Sequence, residues 1–213
     1  IMTQINCLPL FSTNVFYTYI EEDTSEIDYD EFEYMPIQGD LVPDSNNAYA
    51  SRNRRVLEAY PDTKKILLDK FIAIASNTLN YDCDFQIATS WITKVKPGGF
   101  SHRHSHRNSF YSGVYYFEDE YSLDSGNIKF TSPINNLSDY SINTSNQREG
   151  SILSAKKWSI PPEKKKLLLF PSYLEHTVLK NNEKFDRHSI AFNIVPTGKY
   201  GNFDSAYDSR WLY

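Results

Sequence analysis

The stretch Phe85-Gln86-Ile87-Ala88-Thr89-Ser90-Trp91-Ile92-Thr93-Lys94-Val95, followed by Pro97-Gly98-Gly99 and Ser101-His102-Arg103-His104-Ser105-His106, decides how the chain is read. Its first part alternates with the period of two that a half-buried strand requires, and the Pro/Gly turn stops it. Further strands are predicted downstream at 112–117, 126–131, 151–160, 165–170, 177–179 and 187–195. Pro133, an Asn- and Ser-rich loop over 134–150 and Pro161-Pro162 punctuate them. Many short strands turned by Gly and Pro predict a mainly β fold, a sandwich or a barrel.

Upstream of that stretch the period changes. Pro61 opens the clearest helix, because a proline at the first turn loses no hydrogen bond. Leu68, Ile72, Ala75 and Leu79 follow at i, i+4, i+7 and i+11, a stripe expected to pack on the sheet. Residues 3–20 read as one or two strands, and 21–56 as a polar connection. The expected layout is a single domain over 1–213. Within it, 1–56 holds N-terminal strands and an acidic extension, 57–84 a supporting helix, 85–197 the β core and 198–213 a tail.

Length and composition fit that layout. The chain has 213 residues, of which 40% are hydrophobic and 23% charged, which argues against disorder. Aromatic residues reach 15%, a bias towards pleated, half-buried surfaces. No apolar run approaches the roughly 18 residues of a membrane span, and no secretory signal is evident. Cys7 and Cys83 share no metal-type spacing, so two unpaired thiols in a reducing cytoplasm are expected. The net charge of −5 conceals an asymmetry: residues 1–51 carry ten acidic side chains and no Lys or Arg. The overall acidity argues against a broad nucleic-acid surface. The cluster over 21–33 reads as a solvated loop, or as an arm that docks on the basic remainder or guards a site entrance.

None of the five histidines lies in the first 101 residues. Side chains two apart on a strand share a face, so an H-x-H pair can offer two imidazoles to one metal ion. A third imidazole, His176, follows 70 residues after His106, in Phe170-Pro171-Ser172-Tyr173-Leu174-Glu175-His176. A short H-x-H, several strands and one distal His are the order expected where two distant strands of a double-stranded β-helix meet at a mouth. Imidazole suits iron, zinc, copper and nickel alike. The late strand from Arg187 alternates so that Arg187, Ser189, Ala191 and Asn193 share one face and His188, Ile190, Phe192 and Ile194 the other. An inward arginine near a metal offers a bidentate fork for a carboxylate.

With these residues assembled, the chain resembles the Fe(II)- and 2-oxoglutarate-dependent oxygenases, in particular the phage and bacterial branch related to prolyl 4-hydroxylases. The resemblance rests on Trp91, Pro97-Gly98-Gly99, His104-Ser105-His106, and the segments 112–116, 126–130, 170–176 and 187–193, in that order. It covers about residues 60–197. It implies a double-stranded β-helix (a cupin-like jelly roll) with a supporting N-terminal helix. His104, His106 and His176 then correspond to the iron ligands; the six-residue gap from His106 to Ser112 selects this pair over His102/His104. Arg187 corresponds to the partner of the distal carboxylate of 2-oxoglutarate, with Ser189 beside it. Tyr116 falls at a position where related hydroxylases direct a tyrosine to that carboxylate. Ser112 shares its face, and Asn193 lies further along the wall. The implied cofactor is Fe(II), with 2-oxoglutarate and O2 as co-substrates. The implied reaction is hydroxylation of a C–H bond in a peptide, a protein or a small metabolite, with release of succinate and CO2. One departure matters: the usual triad is two His and one carboxylate, whereas here the middle ligand is a second His. A three-histidine zinc hydrolase or lyase and a non-catalytic cupin-like metal-binding protein remain as alternative readings. The compartment implied is the cytoplasm, the host's if the chain is phage-encoded. Exposed strand edges allow a homodimer.

Overall fold

Alternation along the last long strand sets the frame of the molecule. A computed structural model describes residues 11–37, 46–134 and 155–209. The strands are β1 (Phe16–Tyr19), β2 (Tyr34–Pro36), β3 (Ala48–Ser51), β4 (Asp84–Val95), β5 (Tyr111–Tyr115), β6 (Ile128–Thr131), β7 (Lys157–Ile160), β8 (Lys166–Pro171), β9 (His176–Val178) and β10 (Arg187–Thr197). One helix, α1 (Pro61–Asn77), precedes β4. Seven strands form one sheet in the order β1-β8-β5-β10-β4-β3-β2, and three form a second in the order β7-β6-β9. All their pairings are antiparallel. The two sheets make the double-stranded β-helix that the sequence implies. Lys199–Tyr200 and Tyr207–Asp208 add a small ribbon in the tail. The strand expected over 151–160 is seen from Lys157, its first four residues lying outside the described residues. So do Cys7, the part of the first expected strand over 3–10 and nearly all of the 134–150 loop.

The large sheet has two faces with different tasks. Ile190, Phe192 and Ile194 of β10 are fully buried in a core shared with Leu67, Phe71 and Ala75 of α1. On the other face Arg187, Ser189 and Ala191 point into a cavity closed by the smaller sheet. Strand β10 keeps a strict period of two; β4 does not. Its pairing runs from Asn193↔Thr89 directly to Ile194↔Ile87, so Ala88 is an extra residue, a β-bulge. Phe85 and Ile87 therefore face α1, while Thr89, Trp91 and Thr93 face the cavity. Unbroken alternation would put all five on one side.

The helix stripe is rotated from its expected position. Thr63, Leu67, Phe71 and Ala75 are its buried residues, whereas Ile72 is 38% exposed and Leu68 and Leu79 are only half-buried. The reason is what the helix meets. The Phe71 ring sits 5.0 Å from both Phe85 and Tyr111, and aromatic contact of this size outweighs a shift of one position. Gly113 on β5 lies opposite Phe192; a Cβ there would stand 2.2 Å from the ring, so the ring lies across the glycine and leaves no room for a side chain.

Residues 21–37 and 46–56 are more ordered than their composition suggests. Strands β2 and β3 extend the large sheet beyond β4. The acidic segment lies along the body: Glu22 pairs with Lys70 at 2.7 Å, Thr63 donates to Glu26 at 2.8 Å, and Tyr29 stacks on His188 at 4.2 Å. It contributes nothing to the wall of the cavity between the two sheets. Its acidic side chains are nonetheless exposed, so the segment is anchored to the body while its charges stay solvated. No helix among the described residues is long and apolar enough to cross a membrane.

Phe71→Ala is expected to cost about 3–5 kcal/mol of unfolding free energy. Ile72→Ala should cost about 1 kcal/mol or less. Chemical denaturation of the two variants checks this order, which reverses if the stripe through Leu68 and Ile72 faces the sheet.

Candidate active site

His104 and His176 meet through their backbones. The His104 N–H donates to the His176 carbonyl and the His176 N–H to the His104 carbonyl, each at 2.9 Å. The H-x-H segment is thus an extended chain with a single bridge to β9, rather than a full strand. The His106 N–H donates to the Ser172 carbonyl at 2.9 Å and fixes the second imidazole. The ligand nitrogens of His104, His106 and His176 lie within 4.8 Å of one another. Among the described residues this is the one cluster of three or more His, Cys, Asp or Glu side chains with that spacing.

The ring tautomers follow from local carbonyls. Nδ1–H of His104 donates to the His102 carbonyl at 2.8 Å, and Nδ1–H of His176 to the Leu174 carbonyl at 3.0 Å. Each such bond leaves Nε2 with a free lone pair, the form that ligates a metal. Burial and the neighbouring imidazole of His104 hold His106 down to about 4. Burial and His104 likewise hold His176 down to about 3, against the opposing carbonyl of Leu174. Both rings are therefore neutral at pH 7 and compete with no bound proton for a cation. Three imidazoles at this spacing can hold one divalent ion, with no carboxylate in the set.

Below the histidines runs a cavity of about 350 Å³. At its floor lies Arg187, 1% exposed, with Nε and Nη1 buried and without a hydrogen-bond partner. The guanidinium stands 5.1 Å from the centre of the Tyr116 ring, and the Tyr116 hydroxyl is likewise buried and unpaired. Burial pushes the Tyr116 phenol up against the opposing pull of Arg187. An unpaired buried guanidinium is costly, so this floor is built to receive an anion.

The other expected residues divide. Ser189 and Ser112 are 2% exposed and line the cavity. Asn193 is held behind that wall: Ser112 Oγ donates to its Oδ1 at 2.9 Å, and its Nδ2 donates to Thr89 Oγ1 at 3.1 Å. His188 belongs to the opposite face, as alternation requires, with Nδ1 2.7 Å from Glu118 Oε1. His102 stays outside the cluster, its ring 5.1 Å from that of Phe100. Several cavity residues went unforeseen. Ile37, Ala50 and Arg54 come from the segment read as a connection, and Thr89 and Thr93 reach the cavity only because of the bulge. The small-residue alternation of Ala48 and Ala50 was the available signal for β3.

Residues 89–193 match the model of the family described as "Putative 2OG-Fe(II) oxygenase". That segment, just under half of the chain, holds the three histidines, Tyr116 and Arg187. Among solved structures it is similar to HygX from Streptomyces hygroscopicus with nickel and 2-oxoglutarate bound, at a TM-score of 0.59 and 13% identity, over 87% of this chain and 84% of that one. The non-heme alpha ketoglutarate dependent carbocyclase SnoK from nogalamycin biosynthesis is similar at 0.59 and 8% identity, over 91% and 84%. A 2OG-Fe(II) oxygenase family oxidoreductase from Burkholderia pseudomallei is similar at 0.51 and 10% identity, over 78% and 73%. These likenesses are of fold. No curated protein matches the sequence.

His176→Ala should weaken Zn(II) binding at least about a hundredfold, since losing even an outer-shell partner costs 10–100-fold. His102→Ala should leave it within about threefold. Competition titration against a chromophoric chelator distinguishes the two; a larger effect at His102 would move the pair one step upstream.

Proposed function

We propose that this protein is an Fe(II)- and 2-oxoglutarate-dependent dioxygenase that hydroxylates a C–H bond of a small metabolite or a peptide side chain. His104, His106 and His176 hold the iron through Nε2. Arg187 and the Tyr116 hydroxyl receive the far carboxylate of 2-oxoglutarate, with Ser189 beside them. Bound iron, with 2-oxoglutarate and O2, supplies an oxidation in which the co-substrate loses CO2 to become succinate and the substrate gains a hydroxyl.

The observation that carries the reading is the unpaired guanidinium. Arg187 Nε and Nη1 and the Tyr116 hydroxyl are orphaned in the floor of the same cavity whose rim bears three imidazoles. A diacid that reaches from rim to floor satisfies both at once. In a dry cavity the charge-assisted pair with Arg187 is stronger than in water and fixes the diacid in one orientation. The apolar walls, including Val114, Ile128 and Phe170, exclude competing water. Fully buried Tyr115 and Phe192, on the far side of the sheet, hold the strands rigid beneath them. With three imidazoles the ligand set carries no negative charge, so the bound cation and Arg187 leave the cavity strongly electropositive until the diacid binds.

An all-imidazole set also suits a zinc hydrolase or lyase, but that reading gives Arg187 no task. Metal analysis and succinate release separate the two. Succinate release also separates both from a binding protein that retains the site without turnover.

Anaerobic addition of Fe(II) and 2-oxoglutarate to the full chain should produce a weak visible charge-transfer band. Its absence from iron-loaded, folded protein overturns the proposal. Arg187→Ala should weaken 2-oxoglutarate binding by about 2–5 kcal/mol while Zn(II) affinity stays unchanged. Equal affinity for 2-oxoglutarate in the variant removes Arg187 from this role.

A further inference from the structure

The cavity has a second cationic group at its other end. Two arginines, Arg54 and Arg187, line it together with the three imidazoles, and among the described residues no Asp or Glu does. The two lie far apart. Arg187 pairs with Val95 at one end of the β4–β10 ladder, and Asn193 with Thr89 six residues along β4. At the rise of a strand this is about 20 Å. Between these positions Trp91, two residues from Thr89 and four from Val95, stands 5.5 Å from His106. The backbone of Arg54 therefore lies towards the Thr89 end of this ladder and that of Arg187 at the Val95 end.

Arg54 is fixed by its backbone and free at its head. The Ser90 N–H donates to the Arg54 carbonyl at 2.8 Å, and the Leu57 N–H donates to Ser90 Oγ at 2.9 Å, so the turn carrying Arg54 is tied to β4 beside Thr89. Its neighbours are ion-paired: Arg52 with Glu33 at 3.8 Å and Arg55 with Glu58 at 3.1 Å. Arg54 has no carboxylate partner among the described residues, and its Nη2 makes one contact, to Met35 Sδ at 3.7 Å. Partial burial lowers its pKa from the usual value without discharging it.

A chain of hydrogen bonds reaches the same place. Ser112 Oγ donates to Asn193 Oδ1 at 2.9 Å and so accepts from Ser172 Oγ at 2.8 Å. Asn193 Nδ2 donates to Thr89 Oγ1 at 3.1 Å. Each hydroxyl proton is spent on the next acceptor, except the last. The Thr89 proton is left to donate into the cavity.

We propose that Arg54 and Thr89 form an anion subsite for the primary substrate, which therefore bears a carboxylate or phosphate group held away from the carbon that reacts. This rests on the oxygenase reading, which assigns the Arg187 end to 2-oxoglutarate. The guanidinium takes the anionic oxygens, the Thr89 hydroxyl donates to one of them, and Trp91 covers the apolar part between subsite and histidines.

The test uses the full chain loaded with Zn(II) and saturating 2-oxoglutarate, so that Arg187 is engaged. Benzoate, phenyl phosphate and benzamide are titrated by ligand-observed NMR. One or both anions should bind at least about tenfold more tightly than benzamide. The two anions distinguish a carboxylate from a phosphate substrate. Arg54→Met should bring them to the level of benzamide, and Arg54→Lys should recover part of the difference, with 2-oxoglutarate affinity unchanged in both. The subsite is overturned if the three probes bind alike, if none binds at about ten millimolar, or if Arg54→Met keeps the preference. A wild-type chain that fails to bind 2-oxoglutarate overturns the oxygenase reading instead, and the comparison of acids with amide across the Arg54 variants still decides the subsite.

Discussion

Two reciprocal backbone hydrogen bonds between His104 and His176 hold the functional end of the molecule together. They join a loop that follows β4 to a strand that follows β8, and so couple the large sheet to the small one at the cavity mouth. Backbone groups in such a mouth need partners in any case, so this closure satisfies an obligation of the fold while it brings two imidazoles side by side at a tilt. The rings then lie 4.4 Å apart by centroid, a spacing that no side-chain contact alone would maintain. The carbonyls of His102 and Leu174 complete the arrangement, since each orients a ring through Nδ1. Geometry at the rim is thus set by main chain, the least mutable part of the protein.

The floor obeys a different logic. Arg187 is the largest of the fully buried side chains among the described residues, and two of its nitrogens lack partners. Strand β10 makes this tolerable by turning Ile190, Phe192 and Ile194 towards α1, where apolar burial offsets the cost of the guanidinium on the opposite face. One strand therefore carries both the strongest packing and the least satisfied charge.

The sequence discloses much of this because β10 keeps a strict period. Arg187 and Ser189 could be assigned to one face and His188 to the other from alternation alone, and both assignments agree with the coordinates. Convergence of the late imidazole on the early pair was legible from order in the chain, with resemblance selecting which pair. Three features were not legible. The phase of α1 depends on Phe71 meeting Phe85 and Tyr111, and the wide apolar face from Ile66 to Ala75 allows more than one stripe. Strands β2 and β3 are too short and too polar in their surroundings to announce themselves, yet they bring Ile37, Ala50 and Arg54 to the cavity. Asn193 shares the inward face but is occupied by Ser112 and Thr89, a matter of partners that periodicity does not encode.

The surplus residue at Ala88 has a consequence for how this chain can diverge. It places the two halves of β4 out of step, one serving the helix and the other the cavity. Loss of that single position would turn Phe85 and Ile87 inward or Trp91 and Thr93 outward, so length at this point is constrained more tightly than identity. Lineages descending from this sequence are free to exchange the side chain of residue 88 but not to drop it, and an alignment gap there would mark a protein with a differently furnished interior.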